Sequence, residues 1–435
     1  MKFRFENLGV VEKIDFDLSK KLSVFCGPNG TGKTYVSYAL YGLLNGISFV
    51  PAQLFSMKEL RERKKLDIEL DPDIIHSLRE VALKDLQDKK IQIVFGLSLH
   101  SLGQFKTSLL SSREETETEV RDNCFYLPIT KEDDVPPFAV FSKSKNSLTL
   151  NIQYSTHYLA NDEEKWLPNY IAIALSMGGI LSSHLLPVER NSIYTFSKEL
   201  SLSRLQNNYD LEMKRKIRYP LPIVNSLVSA EDLALIQTSK SPYFALAEEI
   251  EQKIVRGNVS VSDLGEVIFQ PQNMNEALPF LLSASLIKTL SGLIIYLKHE
   301  AKTHKLLIID EPELNLHPDN QILLARIFAK MINAGIRLLI STHSDYIVRE
   351  LNNMIMLSSK KIDKKEFGYE DDEYLNPEDV GAYLFNFNKE QPNRVIVENL
   401  PVAEDGFEVA TMDAAIASLN ERSMNLYYKL KENNG

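Results

Sequence analysis

The run Gly27-Pro28-Asn29-Gly30-Thr31-Gly32-Lys33-Thr34 limits what this chain can fold into more than any other segment. It follows an apolar stretch, Leu22 to Cys26, and leads into a helical pattern from Tyr35 to Leu44. Strand, glycine-rich loop, Lys-Thr and helix are the context in which a phosphate-binding loop works. The glycines let backbone N–H groups wrap a pyrophosphate at the positive end of the following helix. Lys33 is spaced to reach the β and γ oxygens, and the Thr34 hydroxyl to take one position on Mg2+. A chance glycine turn between a strand and a helix would not fill every one of these positions. The expectation is a site for ATP or GTP.

A second constellation lies far downstream. Leu306-Leu307-Ile308-Ile309 is short and wholly apolar, as expected of a strand buried on both faces of a parallel sheet, and it ends in Asp310-Glu311. Ligands of open α/β sheets bind beyond the carboxyl ends of strands, so both acids should face the nucleotide. Asp310 suits a hold on Mg2+, directly or through water, and Glu311 suits orienting and polarising the attacking water. Such a pair can also be merely solvated, or cap the next helix. After an intervening helix, near Asn320 to Ala334, comes a further buried run, Arg337 to Ile340, which leads into Ser341-Thr342-His343-Ser344. A histidine there could donate to a γ-phosphate, although a lone histidine is more often structural.

These three blocks resemble the Walker A, Walker B and switch-histidine motifs of ABC-type ATPases, and within that class the compact SMC/RecF-like branch. The pattern Asp-Glu-Pro-Glu-x-x-Leu-His-Pro, from Asp310 to Pro318, resembles OLD-like ATPases and their relatives in bacterial anti-phage systems. The opening, Asn7-Leu8-Gly9 through Asp15-Phe16 to Gly27-Pro28-Asn29, resembles the same group. The fold that this implies is α/β: an ABC-type P-loop ATPase head with a mainly parallel core sheet and an N-terminal antiparallel β part. A large, mostly helical insert lobe is expected, without a long coiled coil.

The resemblance also implies a signature segment ahead of Asp310, in which a serine and a helix N-terminus from a second subunit close each nucleotide. Leu281 to Lys288 is the candidate, with Ser283 or Ser285 as the contacting residue. Serines at a helix start are also ordinary N-caps. On the signature reading, ATP joins a head-to-tail pair of sites in a two-fold dimer. Related ATPases carry a Pro-Ala-Glu-Arg-like segment near the place of Leu186-Pro187-Val188-Glu189-Arg190-Asn191. Arg190 is then expected either to couple the insert to the nucleotide or to pair with Glu189 at a surface turn.

Composition fits such a protein. At 435 residues, 44% of them apolar, the chain can bury a large core. Its two cysteines, Cys26 and Cys124, build no disulfide framework. Without a run long enough to span a bilayer, and with a strand-like start, the expectation is a cytoplasmic protein that does not enter a membrane. The net charge of −10 argues against general coating of DNA. Basic groups at Arg61–Lys65, Lys214–Arg218 and Lys360–Lys365 keep DNA open as a local ligand.

The chain divides into four parts: residues 1–50, with the first strands and the loop; 51–257, an insert, mixed and then mostly helical, closed by Gly257 as a C-cap; 258–357, opening on a hairpin at Asn258–Gln270 and carrying the signature segment, the acids and His343; and 358–435, a small C-terminal extension. Within the last part, Glu370-Asp371-Asp372-Glu373 reads as a solvated loop, Arg394 to Glu398 as a strand, and Asp413 to Leu430 as a helix. OLD-type enzymes carry a TOPRIM nuclease domain after the switch histidine. No nuclease site is expected here. Two functions remain. One is a sensor or regulator ATPase that holds a separately encoded effector, a nuclease or toxin, like the ATPase subunits of the PARIS and Septu anti-phage systems. The other is a RecF/SMC-like ATPase that grips DNA in repair or recombination.

Overall fold

Leu22–Cys26, Arg337–Thr342 and Lys305–Asp310 lie side by side in parallel, and their side chains are buried on both faces almost throughout. The computed structural model that shows this describes residues 1–45, 55–97, 104–129, 136–155, 167–195 and 219–432. In chain order the strands are β1 (Lys2–Leu8), β2 (Val11–Asp17), β3 (Leu22–Cys26), β4 (Lys65–Glu69), β5 (Lys106–Leu109), β6 (Phe125–Ile129), β7 (Ala139–Lys143) and β8 (Thr149–Tyr154). They continue as β9 (Ser182–Leu186), β10 (Gly257–Val261), β11 (Val267–Pro271), β12 (Leu278–Pro279), β13 (Lys305–Asp310), β14 (Arg337–Thr342), β15 (Val380–Phe387) and β16 (Val395–Leu400).

Nine of these strands form one sheet in the order β5-β1-β2-β16-β15-β3-β14-β13-β9. From β15 to β9 every neighbour is parallel, whereas β5, β1 and β2 pair antiparallel. Alternation along each strand feeds two cores. Leu22, Val24, Leu307, Ile309, Leu338 and Ile340 face one; Phe25, Leu306, Ile308 and Leu339 face the other. The first core is covered by the helices Ser285–Ile295, Pro318–Asn333 and Asp345–Met356, the second by the helix Lys33–Asn45. A sheet covered on both sides needs apolar residues at successive positions, which is why these strands read as unbroken hydrophobic runs.

Two expected boundaries change. Residues 51–257 are not one separate lobe, because β5 and β9 both pair into the large sheet. What stands beside that sheet is the four-stranded antiparallel sheet β4-β8-β7-β6 with its own core around Leu66, Phe141, Leu150 and Ile152, packed on the helix Pro72–Asp85. Residues 358–435 are not a mere extension: β15 lies inside the sheet between β3 and β16. The run Val380 to Phe385 is buried throughout, and burial on both faces again removes any alternation.

Other expectations are met locally. β10 and β11 form the hairpin, and the terminal helix spans Ala410–Glu432. The residue that closes the helical part of the insert is Arg256, at φ +55°, rather than Gly257, which already belongs to β10. Phe196–Arg218, part of the expected helical block and including Lys214–Arg218, lies outside the described residues.

Candidate functional site

Strand β3 ends at Cys26, and the chain turns through Gly27 at φ +137°. A Cβ there would run into the carbonyl of Phe385 on β15, so only glycine fits. Gly32, at φ +86°, packs so tightly on Val11 that a side chain would displace it. Between them, Thr31 is fully buried and its hydroxyl donates to the Pro28 carbonyl at 2.8 Å. Asn29 and Gly30 complete the exposed crown of the loop. The helix begins at Lys33, whose ammonium donates to the carbonyls of Gly27 and Pro28, both at 2.9 Å. Burial pulls the Lys33 pKa down to about 8, against the attraction of Asp310. A buried ammonium held by two carbonyls and, at 3.5 Å, the Thr31 hydroxyl, and facing carboxylates, suits a triphosphate.

The expected acids meet this loop. Thr34 Oγ1 donates to Asp310 Oδ2 at 2.7 Å, and Asp310 is buried at the end of β13. Register pairs Asp310 with Ser341 on β14, and the Ser341 hydroxyl donates to the other carboxylate oxygen. Glu311 follows at φ +48°, a conformation that costs a non-glycine residue about 1–3 kcal/mol. Its amide donates to the Ser341 carbonyl at 3.0 Å, and its carboxylate lies 3.4 Å from His343 Nε2. Burial, with Asp310 adding to it, raises the Glu311 pKa. Burial, and then Lys33, lowers that of His343, which favours its neutral form. Ser344 caps the next helix through a bond from the Ile347 amide, which fixes the backbone just after His343.

Two participants carry no role in the sequence reading. One is Ser341, a buried polar residue near the end of β14. The other is Glu313, which accepts from the His343 amide at 2.5 Å and whose second oxygen is buried without a partner. A polar residue inside an apolar run, and a second acid three positions after Asp310, were the available signals.

Arg190 is neither at a surface turn nor paired with Glu189. It is 2% exposed and donates to four backbone carbonyls: Thr289 at 3.2 Å, Pro187 at 2.9 Å, and Asp310 and Glu311 at 2.7 Å each. Burial brings its pKa to about 10, so it stays charged at neutral pH. The signature candidates sit at the start of the helix Ser285–Ile295, whose N-cap is Ala284 and which lacks a side-chain cap. Ser283 is buried and Ser285 exposed, beside the exposed Leu281 and Leu282. Among the described residues, neither serine side chain hydrogen-bonds to the cluster around Asp310.

The acidic run at 370–373 is a loop with Glu370, Asp371 and Asp372 exposed, as expected, but its last acid turns inward. Glu373 is 3% exposed, and Lys330 Nζ lies 2.6 Å from Glu370 and 2.8 Å from Glu249. Glu249, Glu370 and Glu373 bring oxygens close enough for a metal, but the Lys330 ammonium already supplies the cation there. No helix among the described residues is long and apolar enough to cross a membrane.

A family model described as an AAA ATPase domain matches residues 1–348. Comparison with curated protein sequences finds no match. Among solved structures, the chain is similar to an SMC head bound to the C-winged helix domain of ScpA, with 11% identity, a TM-score of 0.37, and 92% of this chain and 98% of that one covered. An SMC head domain from Thermotoga maritima gives 10%, 0.34, 92% and 98%. An SMC head with an extended coiled coil, bound to the C-terminal domain of ScpA from Pyrococcus furiosus, gives 11%, 0.37, 97% and 98%.

Proposed function

Because the chain belongs to the family of AAA ATPase domains, we propose that its Gly27–Thr34 loop and the acids behind it bind ATP with Mg2+ and hydrolyse it to ADP and phosphate. One observation carries this reading: Thr34, Asp310, Glu311 and His343, drawn from three distant segments, meet beside the Lys33 ammonium. The loop amides and Lys33 hold the phosphates. Thr34 and Asp310, already in contact, form the oxygen pair that suits Mg2+. Held there, Mg2+ would supply charge stabilisation to the phosphate oxygens.

Glu311 orients the water and takes its proton as the water oxygen attacks the γ-phosphorus. The bond to the β–γ bridging oxygen breaks, and ADP leaves with that oxygen. Neutral His343 offers a proton donor to the γ-phosphate, and Glu313 holds its backbone. Phosphoryl transfer needs this positioning and charge stabilisation more than covalent help. Phosphate release measured with purified chain tests the reading. Wild-type turnover abolished by Lys33→Ala supports it; a chain that ignores ATP in calorimetry removes it.

A second copy of the chain is the proposed partner, seated head-to-tail on the start of the helix Ser285–Ile295. The exposed Leu281, Leu282 and Ser285 around a helix N-terminus support this. The pattern Asp310 to Pro318, shared with OLD-like ATPases, supports the finer proposal of a sensor or regulator of a separately encoded effector in anti-phage defence. Co-purification with the products of adjacent genes, with and without ATP, tests that role.

A further inference from the structure

We propose that Arg190 is a positioning residue that carries the placement of the helix Ser285–Ile295 to Glu311. The inference rests on the ATPase reading and adds a control on it. Three segments far apart in sequence meet on this one guanidinium. Nε donates to Thr289, in the second turn of that helix; one terminal nitrogen donates to Pro187 and Asp310, and the other to Glu311. A planar fork fixes the directions of its N–H groups, so a shift at one acceptor is felt at the others.

The far end of the fork is where geometry is least tolerant. Glu311 stands in left-handed backbone, a conformation that persists only where surrounding bonds impose it. Ser341 holds its amide, and Arg190, with the Leu314 amide, holds its carbonyl. A second strut runs beside the first: Asn315 donates to the Thr289 hydroxyl at 3.3 Å. The near end of the fork is exposed to outside influence. Leu281, Leu282 and Ser285 at the start of the helix are open to solvent, so a second copy of the chain docking there presses on the element that Arg190 grips. Docking on the helix thereby sets the aim of the Glu311 carboxylate within the same subunit.

The test compares wild type, Arg190→Lys, Arg190→Gln, Glu311→Gln and the two double variants, reading Tm, ATP affinity by calorimetry, kcat and KM. Expected for Arg190→Gln is ATP affinity within about twofold of wild type and a fall in kcat on the order of 100-fold, the scale of a misplaced catalytic group. Arg190→Lys, which keeps charge but not the fork, should recover only part of that. In the Glu311→Gln background either Arg190 change should lower kcat no further, since both act through one group. A folded Arg190→Gln with wild-type kcat overturns the proposal, as does full additivity with Glu311→Gln. If both Arg190 variants fail to fold, the role is architectural and the proposal falls. If wild type itself binds no ATP, the ATPase reading fails first, a result that calorimetry on the unsubstituted chain shows separately.

Discussion

The Thr34 hydroxyl donates to the Asp310 carboxylate at 2.7 Å, across 276 positions of sequence. The bond holds together two oxygens that suit one divalent ion. Thr34→Ala should therefore cost at least about tenfold in ATP affinity when Mg2+ is present and little when it is chelated. Calorimetry with and without EDTA reads the difference. Equal losses under both conditions would separate Thr34 from the metal.

Lys33 makes ATP binding sensitive to alkali. Its pKa is near 8 in the free protein, below the ordinary 10.5, because burial penalises the ammonium. A bound triphosphate favours the charged form and raises that pKa, so binding takes up a proton between the two values. Affinity should fall as pH rises above about 8, by up to about tenfold per unit. Flat affinity between pH 7.5 and pH 9.5, on the order of two units, would mean that the ammonium does not meet the phosphates.

Glu311 and His343 divide the chemistry between them. Glu311→Gln should keep ATP affinity and lower kcat by about 100-fold or more, trapping an ATP-bound dimer visible by size-exclusion chromatography. His343→Ala should lower kcat about tenfold with a smaller effect on KM. The Glu311 pKa is raised by burial and Asp310, and its base form is the active one. Turnover should therefore begin to fall, as pH drops, before an ordinary carboxylate of pKa 4.5 would titrate. Rapid turnover by Glu311→Gln would remove that residue from the mechanism.

Lys330 is a matter of stability. Its ammonium is 4% exposed and sits among Glu249, Glu370 and Glu373. Lys330→Met removes one of two ammonium groups beside Glu249 and Glu370, leaving Lys253 at 2.6 Å and 2.7 Å from them, and should cost about 1–3 kcal/mol in chemical denaturation, with ATP affinity of the folded fraction unchanged. Lys253 and Lys330 hold the Glu370 pKa down at about 2, against an ordinary 4.5. The contribution of that carboxylate is complete above about 4.5 and is lost as pH falls towards 2. Glu370 is more than half exposed, so solvent keeps its share small. A Lys330→Met protein as stable as wild type would show that Lys253 alone neutralises these acids.

Much of the site was legible because its carriers are local. Gly27–Thr34 follows an apolar strand, and Asp310-Glu311 ends one, so type and spacing alone place them at strand ends. The helix expected near Asn320–Ala334 spans Pro318–Asn333, where Pro318 and the His317 cap set its start. What stayed hidden depends on which strand lies beside which. Ser341 reaches Asp310 only because β13 and β14 pair in that register. β15 belongs to the stretch expected as an extension, yet it lies against the strand of the phosphate loop. Arg190 stands out in the sequence, but its acceptors are carbonyls, and a backbone oxygen carries no signature there.

Strand β3 has β14 and β15 as its two neighbours, both encoded hundreds of codons after it. On the ribosome, the segment bearing Gly27–Thr34 emerges first and waits for most of the chain before its flanks can form. The flanks of β3 are therefore complete only once Phe385, whose carbonyl lies against Gly27, has been translated.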